Sequence, residues 1–328
     1  MIAVQQARGR PSSQFYRVAH RIAARFEPAI AQAFLNAIAA LVVRIDDAAL
    51  ASGLAAMSLP EIEAAVGAEQ LSGLLEANPA LLEALTRTAT YTGRAGADVL
   101  AEALGIGVRF NAADPNVVLF ARTQAAQLVV AVTEDVREAI RLVVSLGSQL
   151  GITHVQQARA IRQVVGLPPN WAEAPLNLAA ELRAGRFTST RRLSAADKAQ
   201  IRSRLRKGTI DEAFIQRMQV KYANSLRNRR ALNIARTESA KAATHGQMEG
   251  WRQATQQGVL PRNTRRMWIV TPDDRLRETH RRVPILNPDG VRLDEPFQTD
   301  LGPSMGPPLE VNCRCKLGLV FPGYRGVL

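Results

Sequence analysis

Nine of the chain's 17 prolines fall between Pro261 and Pro322. No long helix can cross a stretch interrupted that often, because each proline removes a backbone donor and clashes with the preceding turn. Upstream the texture is the opposite. Ala and Leu abound, apolar residues recur at helical spacing, and aromatics make up only 5 % of the chain, which favours helices over a β-sandwich. The expected fold is therefore mainly α, with a multi-helical N-terminal and central part and a small irregular α+β C-terminal module. The expected boundaries give a helical region 1–110, a helical region 111–257 that is strongly basic from about 183, and a compact module 258–328.

Within that frame, residues 1–12 read as a flexible arm. Helical spacing runs over 13–26, and Pro28 restarts a helix to about residue 45. Asn78-Pro79 opens a helix that Gly93 and Gly96 are placed to break. Asp114-Pro115 caps one to about 130, and a second covers 134–146. Thr153 and Trp171 begin two more. Ser194 with Asp197, and Thr209 with Glu212, have the spacing of reciprocal helix caps. They start helices over 195–206 and 210–226, separated by Gly208. A long helix then covers 228–257 and stops at Gly258. Beyond it, 267–270 and 316–320 read as short strands.

Apolar content of 47 % is ample for a core, and two cysteines in 328 residues exclude a disulfide scaffold. No signal peptide is legible, so a reducing cytoplasm is the expected place of synthesis. The longest apolar run, 29–43, is interrupted by Gln32 and Asn36 and is shorter than the ~20 residues of a membrane span, so no membrane is expected.

The net charge of +13 is concentrated. Residues 183–241 hold 16 Lys/Arg against Asp197, Asp211, Glu212 and Glu238, a net +12, and the rest of the chain is nearly neutral. Arg191 and Arg192 form one cluster, Arg202, Arg204, Arg206 and Lys207 a second, and Arg227, Arg229 and Arg230 a third. Such density calls for an anionic partner, and non-specific contact with the phosphates of double-stranded DNA is the leading reading. A solvated helix face, or docking on an acidic protein surface, are the alternatives.

Cys313 and Cys315 are too close in sequence for an unstrained disulfide. Two residues apart on a final strand they share a face, and two thiolates so placed can ligate zinc. Candidate partners are His280, Asp273, and His245 on the preceding helix. A closed four-ligand site is expected in preference to an open one. The alternative is a pair of reduced packing residues. No nucleophile with an adjacent base and no phosphate loop is evident, so no enzyme is expected.

Arg236-Thr237-Glu238 on a helix, then Trp268, then Asp273, Arg275, Arg277 and His280, then Gly290 and Pro307, then Asn312-Cys313-Arg314-Cys315 make one ordered constellation. It resembles the Mu F-like minor head protein family of tailed bacteriophages, strongly over the last third of the chain and more weakly over about 116–208. One departure is Val283-Pro284-Ile285-Leu286, where the family often has a short turn, so a longer loop is expected before Gly290. The resemblance implies a late, minor capsid (head morphogenesis) protein of a tailed phage or prophage. It would sit inside the head near the portal, contact DNA and support head assembly or DNA ejection. Implied partners are the portal, scaffold or major capsid protein. The implied location is the virion, with the host cytoplasm during assembly. A metal-dependent hydrolase or toxin-like enzyme, and a DNA-binding protein unrelated to phage, remain as alternatives.

Overall fold

The structure, a computed structural model, describes residues 13–328 except 77, 151–152, 189, 191, 272 and 325. The expected arm 1–12 and Arg191 thus lie outside the described residues. The chain is mainly helical with a small antiparallel sheet near its C-terminus, in the order α1 (Gln14–Arg44), α2 (Asp47–Ala55), α3 (Leu59–Val66), α4 (Gln70–Glu76), α5 (Pro79–Leu104), α6 (Pro115–Leu150), α7 (His154–Val164), α8 (Pro169–Arg183), α9 (Ala195–Lys207), α10 (Glu212–Gln256), β1 (Arg265–Ile269), α11 (Glu278–Leu286), β2 (Val291–Arg292) and β3 (Lys316–Val320).

Caps explain many of the boundaries. Thr153 and Gln156 satisfy each other's backbone donors at the start of α7. Ser194 caps Asp197, and Gly208 closes α9 in the left-handed conformation. At α10 the cap is Asp211, whose Oδ1 accepts the Phe214 N–H at 2.6 Å, and not the expected Thr209. Three expected breaks are absent. Pro28 lies inside α1, the two helices expected over 115–146 are one, and α10 runs unbroken for 45 residues. Gly93 and Gly96 likewise sit within an uninterrupted α5. The expected loop after His280 is instead part of α11, which carries Pro284 within it.

By length and composition α1 and α6 could each cross a membrane, with 44 % and 39 % of their most apolar windows buried in protein. The sequence expectation differs because it counted uninterrupted apolar runs.

The chain divides into two compact units. One unit comprises Met1–Ala31, Pro79–Gln124 and Leu232–Leu328, the other Gln32–Asn78 and Ala125–Ala231. In the first, β1 is central, flanked by β2 and β3. Trp268 stands opposite Leu317, and Arg266 opposite both Leu319 and Val291. The core behind this sheet draws on both ends of the chain. Phe15, Leu100 and Trp251 from the helices join Trp268, Phe297, Cys313, Cys315 and Leu317 in one buried cluster. Residues 258–328 therefore share their core with helices from outside that range. The second unit has its own core around Leu178, Leu182, Ile201, Phe214 and Met218.

Arg266 organises the proline-rich part, and nothing in the sequence singled it out. It is fully buried, and its guanidinium donates to the carbonyls of Arg292, Glu295 and Met305 above the Phe297 ring. One side chain thus satisfies loop carbonyls that regular structure would otherwise pair.

Candidate metal centre

The segment ending in Cys315 is pinned from several directions. From α10, Thr237 Oγ1 donates to Asn233 O at 2.8 Å and accepts the Asn312 N–H at 3.2 Å. Asn312 takes φ +59, a conformation asparagine tolerates better than most residues. Arg314 clasps Asp273 through two hydrogen bonds of 2.5 and 2.6 Å. Thr271 Oγ1 donates to Arg314 O and lies 2.7 Å from Tyr16 Oη of α1. Arg277 donates to Val311 O at 3.0 Å.

That scaffolding brings His280 of α11 against both thiols. His280 Nδ1 is 3.5 Å from Cys313 Sγ and 3.6 Å from Cys315 Sγ, and all three residues are buried. The three ligand atoms lie within 4.8 Å of one another. A tetrahedral zinc with Zn–S of ~2.3 Å and Zn–N of ~2.05 Å has an N···S edge of about 3.6 Å. The observed edges match it. On its far side His280 Nε2 lies 2.9 Å from Glu310 Oε2, which also receives the Thr279 hydroxyl. A carboxylate behind a ligating imidazole fixes its tautomer and raises its basicity. Trp268 Nε1 is buried without a conventional partner and lies on the Cys315 side, where it favours the thiolate.

Hydrogen bonds from Cys315 and His280 hold Cys313 well below the ordinary thiol range despite burial. The same sharing, added to burial, pushes Cys315 up. His280 is raised chiefly by its hydrogen bond to Cys313. A divalent cation bound here would displace the protons that the thiols and the imidazole share.

Two expected ligands belong elsewhere. Asp273 is paired with Arg314. His245 stacks on Phe120 at 4.1 Å and contacts Asn116 O. Glu310 was missed, since it precedes the motif and nothing in its neighbours marks it. The other motif residues are placed as follows. Arg236 faces Glu27 at 3.5 Å, Glu238 is buried against Lys241, and Arg275 is exposed. Gly290 has φ +68 and sits where a Cβ would meet Arg266 O at 2.3 Å, so only glycine fits.

The basic clusters separate by role. Arg227 donates to the carbonyls of Arg162, Gln163 and Val165, closing the C-terminus of α7. Arg230 is buried against Asp135 and the Phe34 ring. Arg230 is buried and Arg227 half-buried, so both guanidinium groups are engaged within the protein. Burial lowers each to about 10, far enough above neutrality to leave both charged. Arg204 lies over Phe214 and faces Asp211, and Arg229 is half-buried. Arg192, Arg202, Arg206 and Lys207 are exposed.

No curated protein and no solved structure matches the chain. Residues 195–318 match a family described as phage Mu protein F like protein. The match takes in α9, α10, the whole sheet up to Gly318 and every member of the His280–Cys313–Cys315 cluster, and reaches only the last residues of the weaker likeness expected over 116–208. Over residues 195–318 the chain is thus similar to the phage Mu protein F like family.

Proposed function

We propose that this chain is a minor head-morphogenesis component of a tailed phage or prophage, carried in the virion beside the portal and the packaged DNA, and acting without catalysis. The family match carries the reading, because it spans the constellation whose members converge on one cluster. Zinc held by His280, Cys313 and Cys315 would staple a region that shares its core with helices from outside it. The carboxylates near that cluster, Asp273 and Glu310, are occupied by Arg314 and His280, which favours a structural role over hydrolysis. Arg192, Arg202, Arg206 and Lys207 supply the exposed charge for phosphate contact.

The first test is recovery of the chain from purified heads after induction of the phage that carries it. Heads assembled normally without it would overturn the reading. For the metal, elemental analysis should find zinc at one per chain, lost in Cys313→Ser/Cys315→Ser with a lower melting temperature. For DNA, affinity should fall steeply with salt. Arg202→Gln/Arg206→Gln/Lys207→Gln should reduce the log–log slope by up to about 0.9 per phosphate contact removed. The same change at Arg230 should act on folding instead.

A further inference from the structure

We infer that the His280–Cys313–Cys315 centre, granted the metal reading above, is incomplete in protein ligands, and that its fourth position holds a water that a small anion can displace. Among the described residues the cluster has three members and no fourth His, Cys, Asp or Glu. The two nearest carboxylates are held away, Glu310 on His280 Nε2 and Asp273 on Arg314. The closed four-ligand site expected from the sequence is therefore not what these residues build.

A cavity of about 20 Å³ borders all three ligand residues, and its remaining wall includes Thr271, Arg275, Arg277 and Asn312. That volume admits about one water molecule. Asn312, one of these wall residues, has its Oδ1 buried without a donor. A buried amide oxygen left unpaired costs free energy, and a water in the adjoining cavity can donate to it, a bond given up when an anion without hydrogen takes the water's place. Charge narrows the class of ligand further. Two thiolates neutralise a divalent ion, Glu310 faces Arg277 at 3.9 Å and Asp273 pairs with Arg314, so Arg275 leaves the wall of the cavity net positive. Size and sign together select water or a small anion over a bulky or cationic group.

Cobalt(II) takes zinc's place in tetrahedral sites, and its visible bands report the coordination shell. The full chain loaded with Co²⁺ should show a thiolate charge-transfer band that Cys313→Ser abolishes. Titration with azide should then shift the visible bands saturably. Arg275→Ala should weaken azide by up to about fivefold per bound cobalt, the worth of one exposed charge pair. If Co²⁺ binds but azide leaves the spectrum unmoved, a fourth protein ligand closes the site and this inference falls while the metal reading stands. If Co²⁺ gives no charge-transfer band, both fall. An azide shift equally strong in Arg275→Ala would overturn the role given to the positive mouth.

Discussion

Thr237 shows how a motif residue can act at a distance along the chain. Its hydroxyl joins two elements 75 residues apart, accepting from Asn312 N–H while donating within α10. Thr237→Val keeps the shape and removes both bonds. It should cost about 1–3 kcal/mol in urea unfolding, because the Asn312 donor is left buried and unpaired. Thr237→Ser should restore most of that loss, and a valine variant as stable as the parent would remove the hydroxyl from the account. Glu238 makes a different argument. Burial raises its carboxyl above 4.5, and the hydrogen bond and charge of Lys241 only partly oppose this. The folded state therefore binds this proton more tightly than the unfolded one. The contribution is fully present below pH 4.5 and is lost as pH rises through the raised value. Glu238→Gln should accordingly be more stable than the parent at pH 7, with the advantage vanishing toward pH 4. Urea midpoints at the two pH values decide it, and a destabilised glutamine variant at pH 7 would mean that the Lys241 pair outweighs burial. Residue spacing made the thiols and His280 legible as a cluster. It could not separate Asp273 from Glu310, since a carboxylate's role depends on whether a guanidinium or an imidazole reaches it first.

At the scale of elements, α10 and α5 meet through glycine. A Cβ on Gly246 would lie 2.1 Å from Ala89 O, and one on Gly250 would lie 3.1 Å from Gly93 O. Gly93 in turn leaves room for the Phe110 ring, 2.3 Å from where its Cβ would stand. Helix propensity alone says that Gly246→Ala should stabilise α10 by about 1 kcal/mol. The backbone clash cannot be relieved by a rotamer change, and overpacking of this kind costs about 1–3 kcal/mol. The net expectation is destabilisation, read as a lower melting temperature, and a higher one would mean that the helices separate at little cost. These glycines also show why element types were legible and element lengths were not. Caps such as Ser194 and Thr153 announce themselves locally. Continuity through Pro28, Thr133 and Gly93 is decided by burial of the faces around them, which outweighs a local preference of about 1 kcal/mol at Gly93 and about 3 kcal/mol at Pro28. The same holds for Arg266, whose partners are carbonyls 26 to 39 residues further along the chain.

At the scale of the molecule, the change of texture at Gly258 marks where long helices end but not where a folding unit begins. The core under the sheet includes Phe15, Leu100 and Trp251, with Phe15 edge-on to Trp251 at 5.1 Å. Each such side chain contributes about 1.5–3 kcal/mol when buried, so a fragment deprived of all three loses a stability comparable to that of a whole small domain. Ser13 and Leu328 are joined as well. Ser13 Oγ donates to Leu328 O at 2.7 Å, and Leu328 N–H returns to Leu319 O in β3. A fragment 258–328 should therefore be unfolded alone, with collapsed amide dispersion in its NMR spectrum. Excess zinc should not rescue it, because a metal on His280, Cys313 and Cys315 would join α11 to the segment before β3 and supply none of the missing apolar cover. Adding α10 would return Trp251 but neither Phe15 nor Leu100, and should leave the fragment unfolded too. If zinc alone gave the 258–328 fragment a native-like spectrum, the module would be an autonomous metal-folded domain, and the core shared with the helices would be a docking surface.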